Sequence, residues 1–359
     1  MSQAVLAGLV RSDVRPGGGS RVLRRGAVSV VVRPRALAVG AALLLLLVVT
    51  AAVSLCVGDF PVPVRDLVAV LRGGGTGGQE FVVLDVRLPR VLCGLLVGAA
   101  FGLSGALTQA VARNPLASPD VLGVTAGATA AAVAVIVLGA PLGIGLPVAA
   151  LTGGLATSAL VFLLAARGGV SGVRLVLVGI GVTAALQAVT SYLLLRADVS
   201  QAGAAVVWLT GSLNGRGCTQ VLTAGLAVAV LLPPALLLTR AVAVLQFGDD
   251  TARGLGVRAG RLRALVVLLA VALAALATAA AGPIAFVALA APQIALRLAR
   301  TPGLPLTLSA LVGALLVGVS DLLARRLLAP TDLPVGVVTA VLGAPFLLWL
   351  LGRASRGPR

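Results

Sequence analysis

The stretch VLGVTAGATAAAVAVIVLGAPLGIGLPVAALTGGLATSALVFLLAA runs from Val121 to Ala166 and carries no charged side chain between Asp120 and Arg167. A helix needs about 20 apolar residues to cross a hydrocarbon core roughly 30 Å thick, so this run is long enough for two crossings. It breaks at Gly139-Ala140-Pro141, because proline lacks a backbone N–H and glycine permits a turn. An uncharged segment that divides into two membrane-length halves does not belong to a soluble globule.

The pattern repeats outward in both directions. Charge-free runs cover 36–58, 91–112, 175–195, 217–239, 264–296, 301–320 and 333–352, and the run 264–296 divides again at Gly282-Pro283. Ten membrane spans result, over 36–57, 91–111, 121–139, 142–165, 174–195, 218–239, 263–281, 284–300, 305–324 and 334–352. Composition agrees: 59% of the residues are hydrophobic and 11% charged, where a soluble domain carries about 25% charged residues. The expected fold is an all-α integral membrane protein.

The chain has no lysine, so all 28 basic residues are arginine. With the N-terminus placed in the cytoplasm, twenty of them fall on the cytoplasmic side of the ten spans and eight on the outer side. That bias is the positive-inside pattern and puts both termini in the cytoplasm. Residues 1–35, with seven arginines and a Gly17-Gly18-Gly19 run, read as a basic, disordered cytoplasmic tail. Residues 36–352 form one ten-helix transmembrane domain, and 353–359 a cytoplasmic C-terminal tail. The first span is longer than the apolar core of a signal peptide, and Val57-Gly58-Asp59 is a poor cleavage site, so it reads as a retained helix.

Several functions are excluded. The net charge of +17 is divided between apolar spans instead of forming one basic face with aromatics, which argues against nucleic acid. Without lysine there is no phosphate-binding loop of the GxxxxGK type. Without histidine there is no imidazole ligand for zinc or haem, and Cys56, Cys93 and Cys218 match no metal or redox spacing. No cofactor and no catalytic residue is expected, so the chain is not read as an enzyme. The one acid within a span is Asp321, near the end of the ninth, which is little to build a proton relay on. Energy for any transport has to come from a partner. Gly94, Gly98, Gly102 and Gly105 form a small-residue stripe that lets helices approach closely.

Four blocks are more specific. Residues 87–90 read Arg-Leu-Pro-Arg, and a small-residue helix follows to Gln109. Next comes Asn114-Pro115-Leu116-Ala117-Ser118-Pro119-Asp120-Val121-Leu122-Gly123. Trp208 to Gly215, Gly248 to Val257, and the pair Gly282–Val287 with Asp332–Phe346 complete the set. The chain, over about 36–352, closely resembles the permease family of iron-siderophore and vitamin B12 ABC importers, the type II importers. Asn114-Pro115 should end the second span, and Asp120 could cap the third through its carboxylate.

What the resemblance implies can be placed residue by residue. Asp249, Asp250, Ala252, Arg253, Leu255 and Gly256 match the coupling helix that docks on the ATPase subunit, with Gly256 permitting a tight bend. Arg87, Arg90 and Arg325 match arginines that the family presents to acidic residues of its substrate-binding protein; interfacial anchoring is the alternative. Gln109, Asn114, Pro115, Asp120 and Gly123 belong to a structural or gating motif. Where the family commonly has Pro-His and Glu, this chain has Pro292-Gln293 and Asp332. The implied partners are two ATP-binding subunits, an extracytoplasmic binding protein and a second permease subunit, identical or paralogous, in a bacterial cytoplasmic (inner) membrane. Spans five and ten are expected to contribute to a central path. The implied cargo is a ferric siderophore, with cobalamin or haem as alternatives, and an ion-driven secondary transporter as the alternative class.

Overall fold

The computed structural model describes residues 21–25, 28–139, 145–166, 172–256, 258–301, 303–328 and 331–354. In chain order these form β1 (Arg21–Arg25), β2 (Val28–Val32), α1 (Pro34–Cys56), α2 (Val64–Leu71), α3 (Gly77–Glu80) and a π-helical turn (Phe81–Arg87). Then come α4 (Leu88–Ala112), a 3-10 turn (Pro119–Leu122), α5 (Val124–Leu138), α6 (Leu146–Ala166), α7 (Gly172–Arg196) and α8 (Val199–Leu209). The second half holds α9 (Cys218–Leu237), α10 (Thr239–Leu245), α11 (Asp249–Gly254), α12 (Ala259–Ala281), α13 (Val287–Ala299), α14 (Leu306–Ala324) and α15 (Val335–Ala354).

Among the described residues, seven helical segments are long and apolar enough to cross a membrane: Pro34–Cys56, Gly77–Ala112, Leu146–Ala165, Arg174–Arg196, Cys218–Leu237, Ala259–Ala281 and Leu306–Ala324. The remaining three predicted spans coincide with shorter apolar helices, Val124–Leu138, Val287–Ala299 and Val335–Trp349. The break predicted at Gly139-Ala140-Pro141 lies partly outside the described residues, as do Arg167, Val257 and the last five residues. The other predicted break is present: Gly282 adopts φ +79° and α12 ends there.

Two details differ from expectation. The basic tail, read as disordered, pairs β1 with β2 antiparallel, from Arg21 opposite Val32 to Arg25 opposite Val28; the four valines of β2 supply the strand propensity. The second span also starts earlier than Val91, because helix runs continuously from Gly77. Pro89 sits in the first turn of α4, where its missing N–H matters least, and the seven residues before Leu88 are wound as π-helix.

α4 is the axis of the bundle. Nearly all its residues from Gly94 to Val111 are buried, and α9, α12, α13 and α14 all pack on it. The glycine stripe explains how. A Cβ at Gly98 would overlap the carbonyl of Gly313, one at Gly102 the carbonyl of Ser309, and one at Gly105 the carbonyl of Ala288. Backbone therefore meets backbone along the α4–α14 and α4–α13 contacts, as in other membrane helix pairs built on small residues. Ser104 donates to the carbonyl of Ala270 at 2.6 Å, tying α12 to the same axis. By contrast α1, α7 and α9 are mostly exposed along their lengths, as helices that face lipid or a partner must be.

Candidate functional site

At the end of the bundle where α4 begins and α14 ends, ion pairs gather residues far apart in sequence. Arg90 places Nε 3.0 Å and Nη2 2.9 Å from Asp321 Oδ1, and Nη1 3.2 Å from Asp332 Oδ2. The other Asp321 oxygen lies 3.3 Å from Arg325 Nε, a charge contact without hydrogen-bond alignment. The Asp321 side chain is 4% exposed and Asp332 40%. The four residues thus form a gradient from a buried carboxylate to a rim carboxylate, with Arg90 between them.

Arg87 and Arg325 face the C-terminus of α1. The last carbonyls of a helix have no partner within it and carry its partial negative charge. Arg87 donates to Leu55 O at 2.7 Å and to Phe60 O at 2.6 Å; Arg325 donates to Ser54 O at 3.3 Å and Ser54 Oγ at 2.9 Å. Arg326 extends the set to Gly58 O at 3.0 Å. Arg87 and Arg325 thus turn their guanidinium groups onto the backbone ending α1, while Arg90 pairs with the two aspartates. Arg87 is 7% exposed, and its guanidinium is occupied by backbone carbonyls. Burial also pulls the Arg325 guanidinium below its usual pKa, with Asp321 acting in the opposite direction.

The motif after α4 also folds differently from the expected cap. Arg113, at φ 51°, ends α4, and Asn114 Oδ1 accepts from Leu116 N at 2.9 Å, which turns the chain at Pro115. Asp120 does not cap α5. Its carboxylate accepts from Ser118 Oγ at 3.2 Å and from Thr125 Oγ1, while Gly123, at φ 73°, occupies the cap position.

Asp120 and Thr125 line an open groove of about 820 Å³ together with Thr183, Gln187 and Thr190 of α7 and Val337 and Ala340 of α15. α7 and α15 correspond to spans five and ten. The walls are mostly apolar, with Leu194, Leu209 and Ile284 among them, and carry the polar groups of Asp120, Gln187 and several hydroxyls. Thr183 Oγ1 is buried with no hydrogen-bond partner.

Gln109, from the motif, meets Gln293, the residue that departs from the family pattern. Gln293 Nε2 donates to Gln109 Oε1 at 2.7 Å, and Gln109 Nε2 donates to Leu289 O at 3.1 Å. Arg297 Nη1 donates to Gln293 O at 2.9 Å, and the guanidinium lies 5.4 Å from the Trp349 ring and 5.9 Å from Phe346, in cation–π range. This chain of contacts joins α4, α13 and α15. Residue spacing alone gave no signal for it, because the partners are 184 positions apart.

At the opposite end from Arg90, α11 is one short turn bracketed by Gly248 at φ 113° and Gly256 at φ 78°. Ala252 is fully buried and anchors the turn against the core, whereas Leu255 is 65% exposed and Phe247 77%. Arg253 is also exposed; the side chains of Asp249 and Asp250 lie outside the described set. Phe247 was missed in the sequence because it falls one residue before the motif.

A helical bundle with one glycine-packed axis, an open groove and a short exposed turn at one end has the architecture of a membrane-embedded permease. Residues 45–353 match the FecCD transport family, and the chain belongs to it. It is 44% identical over 299 residues to the ferric enterobactin transport system permease protein FepG of Escherichia coli K12, covering 83% of this chain and 91% of that protein. It is 43% identical over 317 residues to the achromobactin transport system permease protein CbrC of Dickeya dadantii, covering 87% and 90%. Among solved structures it superposes with TM-score 0.78 and 32% identity on an inward-facing protein assigned as a metal-chelate type ABC transporter, covering 87% of this chain and 98% of the other.

Proposed function

We propose that this chain is the permease subunit of a binding-protein-dependent ABC importer that carries a ferric siderophore across a bacterial cytoplasmic membrane. The observation that carries this reading is family membership over 309 consecutive residues, 45–353, with permeases for iron chelates among its relatives. The chain crosses the membrane ten times, with both termini in the cytoplasm; the three short helices α5, α13 and α15 complete the count begun by the seven long ones. Two permease subunits bring their α7 and α15 faces together, so that the two grooves become one central path.

At the cytoplasmic end, α11 docks on an ATPase subunit. Leu255 and Phe247 supply the apolar contact, Asp249, Asp250 and Arg253 the charge, and buried Ala252 transmits the load into the core. At the outer end the binding protein meets the rim of Arg90, Asp332 and Arg326, with Arg87 and Arg325 shaping that rim from beneath. An acidic residue of the binding protein competes with Asp332 for Arg90, since guanidinium groups bind carboxylates well. The motif from Gln109 to Gly123 positions the groove wall.

The test is uptake of radiolabelled iron, supplied with a panel of siderophores, in a strain deleted for this permease and complemented with it. Uptake should require the chain, the ATPase subunit and the binding protein together. Uptake that persisted with a catalytically dead ATPase would overturn the proposal in favour of an ion-driven carrier. Gly256→Val should leave assembly intact and uncouple ATP hydrolysis from uptake, because a β-branched residue is strained at positive φ by about 1–3 kcal/mol. Normal uptake by that variant would remove α11 from the coupling role.

A further inference from the structure

At the end of the bundle that holds α11 there is a second cavity, of about 410 Å³, between the start of α1, the α9–α10 corner and the 301–307 loop. Its polar lining includes Arg33, Arg240, Thr239, Thr301 and Gln246, and among the described side chains no aspartate or glutamate lines it. Arg33 and Arg240 are exposed, and neither donates a hydrogen bond or forms an ion pair among the described residues. Two unpartnered guanidinium groups facing one cavity repel each other, and an anion between them removes that cost. The remaining wall is apolar. It includes Leu236 at 40% exposure, and the helices on either side, α1 and α9, expose leucines along their flanks, among them Leu37, Leu44, Leu226 and Leu237.

We propose that this cavity holds the phosphodiester headgroup of an anionic phospholipid. Arg33 and Arg240 would bind the phosphate, Thr239 and Thr301 would lie within reach of the headgroup oxygens, and the acyl chains would run down the exposed leucines of α1 and α9. Charge complementarity selects the phosphate. Continuity with two lipid-facing helix flanks selects a lipid over a soluble anion, and basic pockets between membrane helices bind such headgroups elsewhere. Gln246 lines the cavity two residues before Gly248, the start of the α11 turn. A bound headgroup would therefore brace the corner from which α11 projects. The site makes no use of the cargo, so its test is independent of which chelate is carried.

The assembled importer can be reconstituted in nanodiscs of phosphatidylcholine containing a minor fraction of phosphatidylglycerol. Native mass spectrometry of the released permease then counts retained phosphatidylglycerol. The wild type should retain it at low abundance, and R33Q/R240Q should show a loss on the order of thirty-fold, consistent with about 1 kcal/mol for each of the two arginines near an anionic surface. R33K/R240K should retain most of the binding, and R72Q, at the opposite end, should be unchanged. Ala243→Phe, which fills the cavity and leaves both charges, should reproduce the loss and guards against misfolding of the double variant. Equal retention by wild type and both loss variants would overturn the proposal. So would displacement of the lipid by inorganic phosphate, which would mark a free-anion site. Loss of the ATPase subunit from R33Q/R240Q with lipid retained would assign the cavity to a protein partner instead.

Discussion

Along the seam between α4 and α14, glycines bring two backbones into contact and leave no space. Along the groove bounded by α5, α7 and α15, apolar side chains and several hydroxyls line an open volume of about 820 Å³. Both regions are rich in small residues, yet one is closed and the other open. The seam places its small residues where helices cross, opposite each other: Gly98 and Gly102 against Gly313. In the groove the small residues face empty space, and the helices are held apart by packing elsewhere. Small side chains thus serve either as a hinge-free joint or as a wall, depending on whether a second helix lies against them.

If the seam and the ion network at its end form the fixed frame, damage there should destroy the fold, whereas damage in the groove should spare it. The largest effect is expected from Asp321→Ala. It leaves Arg90 and Arg325 beside an empty buried site and should cost about 3–5 kcal/mol, read as a lower unfolding temperature in detergent and poor recovery from membranes. A loss under about 1 kcal/mol would place the network among solvated pairs of little consequence. Gly313→Leu should come next, at about 1–3 kcal/mol or more from overpacking, with the same readout; a neutral result would mean that the seam can open. The smallest stability change is expected from Gln187→Ala in the groove, where the side chain is exposed, within roughly 0.5 kcal/mol of wild type. Uptake should nevertheless fall several-fold in that variant. Wild-type uptake would take α7 out of the path.

The fold was legible in the sequence to the extent that lipid dictates it. Charge-free runs located every long helix and the Gly282-Pro283 break, because apolar length and proline act locally. The short α8 was not recognised as a helix. Its 11 residues, Val199–Leu209, are too few to span, and no periodic signal distinguishes them from loop. The site was only half legible. Motifs drew attention to Arg87, Arg90, Arg325 and Asp120, but partners decide direction. Two of the arginines are drawn inward by the carbonyls ending α1, and Asp120 is held by the hydroxyls of Ser118 and Thr125. The substitution at Gln293 looked like the loss of an ionisable ring. In the structure it gains an amide partner, Gln109, which a neutral hydrogen-bonding side chain satisfies in a buried place.

The first helix shows what those inward-facing arginines accomplish. α1 has few buried positions, Leu43, Leu47, Ser54 and Leu55, yet it is fastened at both tips: Arg35 Nε reaches Leu298 O at 2.8 Å near its start, and Arg87 and Arg325 hold its last turn. A rod pinned at its extremities and seated at its middle by Leu43 against α13 and α14 cannot slide along its own axis. Its height in the bilayer is set by the bundle, while its outward face stays open to lipid or a neighbouring subunit.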